Sequence, residues 1–159
     1  MAEITASLVK DLRQKTGAGM MDCKKALTQV DGNIEEAVDW LRKQGLASAA
    51  KKAGRVAAEG LIAIAASNDN THAVMVEVNC ETDFVAKQDE FKDFVNALAQ
   101  RVLAAQPYDV EQMMTLAMSD GDAATIEDRR RELVAKLGEN ISVRRFSVVR
   151  GNACVGAYL

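Results

Sequence analysis

The sequence predicts an α+β protein, with an N-terminal module of three short helices followed by an antiparallel sheet packed with helices. Three observations carry this. Helical apolar spacing punctuated by glycine fills the first 55 residues, strand-like alternation opens after Arg55 and returns after Asn140, and the stretch between regains a helical period. With 159 residues, 48% of them hydrophobic and 27% charged, the chain has the makeup of an ordinary globular protein and can bury a core without disulfides or metals. It contains no apolar run of about 18 residues, the length that reads as a membrane span. Its first residues, Met1-Ala2-Glu3-Ile4-Thr5, lack the basic-then-apolar pattern of a secretory signal, so a cytoplasmic protein with no membrane contact is expected.

Ile4, Leu8, Val9 and Leu12 make the stripe of a first helix over 4–15, stopped by Gly17. Met20, Cys23, Leu27 and Val30 make a second over 20–30, ended by Asp31-Gly32. Asn33, with Glu36 three residues on, has the form of a capping box opening a third over 34–44, where Ile34, Ala37, Val38 and Leu41 follow. Gly45 reads as its stop and Leu46–Ala53 as a short Ala/Lys-rich turn. Helices this short bury little alone, so they should pack on one another and make few contacts beyond residue 55.

Residues 56–66 and 71–80 read as two strands joined by the turn Ser67-Asn68-Asp69-Asn70. In the second, Val74, Val76, Val78 and Cys80 share one face, with Glu77 and Asn79 on the other. Phe91, Phe94, Val95, Leu98 and Val102 restore a helical stripe that ends before Pro107. Further helices are expected over 110–118 and 124–137, and a strand over 140–150. Apolar parity in that strand switches between Val143 and Phe146, which a bulge near Arg144-Arg145 explains. The run from Cys154 to Leu159 reads as the start of one more strand, as in a piece of a longer protein.

The net charge of −3 conceals a gradient: residues 1–55 carry +3, 56–106 carry −5 and 107–159 carry −1. A globally basic nucleic-acid binder is not indicated, although the first segment has a small basic face. Cys23, Cys80 and Cys154 form neither a disulfide framework nor a zinc spacing, and are read as reduced, mostly packed thiols. His72 is the only histidine and stands beside a turn, away from any nucleophile. Gly17-Ala18-Gly19 has no strand before it, which argues against phosphate cradling. Arg129-Arg130-Arg131, flanked by acidic residues, reads as a solvated helix face.

Two features resist a purely structural reading. At 100° per residue Met21 points away from the core stripe toward Lys25 and Thr28, with Met20 at the stripe's margin. A flexible methionine ringed by lysines has the character of a docking surface, and equally that of a tolerated surface residue. The second feature is Thr82-Asp83-Phe84-Val85, where a strand hands over to a helix that Thr82 or Asp83 can cap. On a continuous helix Phe84, seven residues before Phe91, joins the core stripe.

These residues fall in blocks that resemble the bacterial elongation factor Ts family. The blocks are Ile4 to Lys10, Thr16 to Leu27, Ala49 to Gly54, Glu77 to Ala86, and Gly138 to Ile141 followed by Arg144-Arg145-Phe146. They span nearly the whole chain and match the N-terminal part of the longer family form. The resemblance implies a ubiquitin-associated-like docking module over 1–54, a first core subdomain over 55–151, and at 152–159 the start of a second, truncated subdomain. It implies a guanine-nucleotide exchange factor for elongation factor Tu in its GDP-bound and nucleotide-free states, an activity without covalent chemistry. No cofactor, resident metal, nucleic acid or membrane partner is implied. Docking falls on Leu12, Met20 and Met21. Dislodging of the partner's magnesium falls on Thr82, Asp83, Phe84 and Val85, with Phe84 outside the core. Two other readings remain. One is a helix-turn-helix nucleic-acid module with Lys24, Lys25, Lys51 and Lys52 on phosphates. The other, disfavoured by the lone histidine, is a small hydrolase using His72.

Overall fold

The computed structural model describes residues 4–158. Thr5 caps α1 (Ala6–Thr16) by accepting from the Leu8 amide, and Gly17 closes it at φ 66°. α2 (Met20–Gln29) runs into left-handed Asp31 and Gly32. Asn33 then caps α3 (Ile34–Lys52), accepting from the Glu35 and Glu36 amides while its own amide group donates to Glu36 Oε1 at 2.8 Å. Leu12, Cys23, Ala26, Leu27 and Ala37 form the buried centre of these three helices.

α3 departs from the sequence expectation. It does not stop at Gly45 but continues to Lys52. A β-carbon at Gly45 would lie 3.4 Å from the Cβ of Ala135, so this glycine lets two helices approach closely. One turn on, Ala49 is buried in the larger core. The three-helix module is therefore fastened to the rest of the chain through the second half of α3, contrary to the few contacts expected.

β1 (Glu59–Ala66) and β2 (His72–Cys80) form an antiparallel hairpin. In its turn Asp69 accepts from Ser67 Oγ, the Thr71 amide and the Thr71 hydroxyl, which hold its carboxyl down at about 2. Gly60 sits at φ 151°, where a β-carbon would fall 2.1 Å from the Val78 carbonyl oxygen, so glycine alone fits this close crossing. After β2 come α4 (Asp83–Ala86) and α5 (Asp89–Ala105), which ends at left-handed Gln106 just before Pro107. Phe91, Phe94, Val95, Leu98 and Val102 of α5 pack with Val74, Val76 and Val78 of β2 in one apolar core. α6 is shorter than expected, Val110–Thr115, because the chain leaves it at Leu116 to make an antiparallel bridge between Ala117 and Thr125.

Thr125 and Asp128 form a reciprocal capping box at the start of α7 (Ile126–Leu137), and Gly138 ends it at φ 80°. β3 (Ile141–Arg150) pairs antiparallel with β2, giving the order β1-β2-β3. Glu77 stands opposite Arg145 and Val78 opposite Val143, so Arg144 is the extra residue of the bulge that the parity switch predicts. The strand expected from Cys154 is not formed through Tyr158, and Leu159 lies outside the described residues. Gly151 and Val155 instead donate their amides to the Thr71 and Asn70 carbonyls, at 2.9 and 2.7 Å, which lays this backbone against the β1–β2 turn. No helix among the described residues is long and apolar enough to cross a membrane.

The arginine run is only partly a solvated face. Arg130 is half-buried: it grips Glu127 with two nitrogens at 2.8 and 2.7 Å and donates to the Ile141 carbonyl at 2.7 Å, tying α7 to β3. Burial pushes the Glu127 carboxyl up, but Arg130 and Arg131 outweigh it and the net shift is below the usual 4.5. A carboxyl lowered in the folded state adds stability above its unfolded value, and that stability is lost as pH falls through the folded value. The melting-temperature gap between wild type and Glu127→Gln is therefore expected to hold steady near neutrality and to close on acidification below 4.5. A gap that persists unchanged to about pH 3 would show that the pairing contributes nothing.

Candidate functional site

The junction between β2 and α4 presents an exposed aromatic side chain on a capped turn. Thr82, extended at φ −128° and ψ 155°, turns the chain out of the strand and accepts from the Val85 amide at 3.4 Å, starting α4. Phe84 lies on the outer face of that single turn and is 79% exposed. It does not join the core stripe, because helix is interrupted at Lys87 and Gln88 before α5 begins. Val85 and Ala86, on the opposite face, are buried in the core. Val85 therefore anchors the turn from beneath, and the surface offered outward is Thr82, Asp83 and Phe84. Asp83 Oδ2 accepts from Lys87 Nζ at 2.6 Å, one turn on, and this bond lowers its carboxyl below the ordinary aspartate range. At neutral pH an ionised Asp83 carboxylate, paired with the Lys87 ammonium, thus stands next to an exposed aromatic ring.

What fixes this turn is a set of polar side chains from distant segments. Glu139, between α7 and β3, accepts from the Glu81 and Thr82 amides at 3.1 and 3.0 Å and from the Thr82 hydroxyl at 2.6 Å. Glu81 returns the arrangement by accepting from the Asn140 amide at 2.6 Å. Buried Asn140 donates its side-chain amide to the Arg55 carbonyl at 2.8 Å, reaching the segment that leads from α3 to β1. The Cys80 thiol donates to the Thr82 carbonyl at 3.2 Å; burial, reinforced by the Glu139 charge, pushes it up to about 11, so it stays protonated and unreactive. Sequence reasoning gave Glu81, Glu139 and Asn140 no role. All three stand in the blocks of family resemblance, and Glu139 and Asn140 also follow at once on the helix stop Gly138, at the mouth of a buried strand.

On the helical module the methionines behave as the helical geometry predicts: Met20 is 60% and Met21 75% exposed, while Cys23, Ala26 and Leu27 are buried. Lys25, on the Met21 face, places its ammonium 6.0 Å from the centre of the Trp40 ring, within cation–π range. Leu12, expected on the docking surface, is fully buried in the module's core. It supports the α1–α2 surface from below and presents nothing to a partner. A cleft of about 640 Å³ lies between this module and α7, where Lys15, Trp40, Asp128 and Lys136 are among the residues facing it. Among the described residues no group of His, Cys, Asp or Glu is placed to hold a metal ion. Cys154 is exposed, and Cys23 and Cys80 are buried.

Comparison with known proteins bears on both surfaces. The family profile described as Elongation factor TS matches residues 81–159, and that described as Elongation factor Ts, mitochondrial, N-terminal matches residues 1–54. Elongation factor Ts of Hydrogenovibrio crunogenus is 57% identical over 155 residues, covering 98% of this chain and 52% of its own length. That of Arthrospira platensis is 51% identical over 159 residues, covering 100% of this chain and 64% of its own. That of Clostridioides difficile is 53% identical over 159 residues, covering 100% and 52%. The chain thus spans between about half and two thirds of the length of the curated relatives it matches.

Proposed function

The chain belongs to the elongation factor Ts family, and from that premise we propose that it promotes guanine-nucleotide exchange on elongation factor Tu during translation elongation. In this reading residues 1–54 dock through the surface of Met20 and Met21, with Leu12 supporting it from the core. Residues 55–151 carry the turn of Thr82, Asp83 and Phe84 into the partner beside its nucleotide, with Val85 as the anchor. The observation that supports this most directly is the pairing of exposed Phe84 with a rigid, multiply bonded cap and a charged Asp83. An apolar ring left in water at the tip of an ordered turn is poorly placed for stability and well placed for insertion.

Exchange of this kind needs no catalytic side chain in the factor. A nucleoside diphosphate on its carrier is held by backbone amides, a lysine and a magnesium ion that neutralises the phosphates. Displacing the ion removes the largest local positive charge, and the nucleotide leaves faster. Phe84 acts as wedge and anchor, and Asp83 brings negative charge to where the ion sits. The coupling is reciprocal: the factor weakens nucleotide binding, and incoming nucleotide expels the factor.

The test is GDP release from elongation factor Tu with and without this chain, at high and low free magnesium. Acceleration at high magnesium that shrinks when magnesium is scarce is expected, because release is then already fast unaided. Equal acceleration at both levels would exclude ion displacement, and no acceleration at either would overturn the exchange function.

A further inference from the structure

The wedge turn is aimed from a distance, and the geometry points to Glu139 as its positioning residue: a carboxylate on the loop after α7 that sets how Thr82, Asp83 and Phe84 leave the sheet. This rests on the exchange-factor reading above and adds to it a residue that would touch neither nucleotide nor magnesium. Glu139 Oε2 meets two successive backbone amides, those of Glu81 and Thr82, which is possible only while the intervening peptide is turned so that both N–H groups converge. Its Oε1 takes the Thr82 hydroxyl proton at 2.6 Å. A hydroxyl has a single proton to give, so committing it to Glu139 leaves its lone pairs for the Val85 amide, which is the cap that starts α4. The cap beneath Phe84 is thus oriented by a side chain 57 residues away.

The arrangement is mutual. Glu81 accepts from the Asn140 amide, so each loop supplies a carboxylate to the other's backbone, and charge-assisted bonds of this type are the stronger class. Asn140 continues the chain of contacts to the Arg55 carbonyl, at the segment leading from the helical module into β1. The wedge is thereby referenced both to β3 and to the strand entrance on the module's side.

A positioning role and a merely stabilising one are separated by where the loss appears. Glu139→Ala is expected to lower the saturating rate of catalysed GDP release on the order of tenfold, since small misplacements of a working group are costly, while the half-saturating factor concentration changes less than about twofold. Glu139→Gln keeps an acceptor oxygen for the two amides but turns an N–H donor toward the Thr82 hydroxyl, so its loss of rate is expected to be real and smaller than that of Glu139→Ala. In the free chain, amide hydrogen exchange in Glu139→Ala should quicken at Glu81, Thr82 and Val85 and remain unchanged at Val76 in the core strand. A wild-type saturating rate in Glu139→Ala overturns the inference, and so does faster exchange at Val76 together with the turn. If wild type itself fails to accelerate release, the exchange-factor reading falls, and the amide exchange alone then decides Glu139: unchanged rates at the three turn amides overturn it.

Discussion

Leu27→Ala is expected to destabilise the chain by about 2–5 kcal/mol, the cost of a buried leucine truncated beside neighbours that cannot close the gap. Met21→Ala, six residues earlier on the same helix, is expected to change stability by less than about 0.5 kcal/mol, because its side chain already stands in water. The contrast is steep because the module's buried centre is small, and Leu27 is one of two leucines at its middle. The other is Leu12, and it sharpens the test. As a core residue, Leu12→Ala should melt like Leu27→Ala. As a docking residue it would melt like Met21→Ala and lose only association with elongation factor Tu. Thermal melts of the three variants, with binding to the partner measured at a temperature where all are folded, decide the matter. Similar melting losses for Met21→Ala and Leu27→Ala would show that the two faces of α2 are wrongly assigned.

Leu12 also shows where different kinds of sequence reasoning collide. Apolar spacing puts it on the core stripe with Leu8 and Val9, family resemblance put it on the docking surface, and the structure sides with spacing. Local signals served well wherever the deciding interaction is itself local. The caps read at Asn33 and Thr82 lie within a few residues of the amides they serve. The bulge at Arg144 was legible because one inserted residue inverts side-chain parity along the same strand.

What was not legible depends on partners far along the chain. A glycine after a helical stripe reads equally as a left-handed stop or as a gap in a helix surface. Gly17 is the first, and Gly45 the second only because Ala135 packs against it. Arg130 looked like one of three solvated cations, and no neighbour in sequence announces the Ile141 carbonyl that it meets. Glu139 is the clearest case: its partners are 57 and 58 residues distant, and the adjoining Gly138 and Asn140 do not say which segment it meets. Helical spacing alone put Phe84 in the core, and only the family resemblance of Thr82-Asp83-Phe84 put it outside; the half of the candidate site that holds the turn in place was read by neither.

Phe84→Ala is expected to weaken the working complex with elongation factor Tu by about 2 kcal/mol or more, on the order of thirtyfold in affinity, as truncation of a central aromatic anchor does. Because the ring is 79% exposed in the free chain, melting should be nearly unchanged, so the loss appears in binding to the partner and in catalysed GDP release and not in the fold. Asp83 divides the mechanism further. Asp83→Asn leaves the Thr82 cap of α4 in place, but it removes the charge and weakens the bond from Lys87. If Asp83 serves only the turn, the substitution is mild. If its charge acts on the ion, release slows at high free magnesium while affinity for the nucleotide-free partner holds. Lys87 supplies the control: Lys87→Met frees the Asp83 carboxylate of its one ion-pair partner among the described residues while leaving its charge in place. On the charge reading Lys87→Met leaves exchange intact where Asp83→Asn impairs it; on the turn reading both variants are mild and equal. Unchanged exchange in Phe84→Ala at every magnesium level would remove the wedge from the mechanism altogether, whatever the outcome at Asp83.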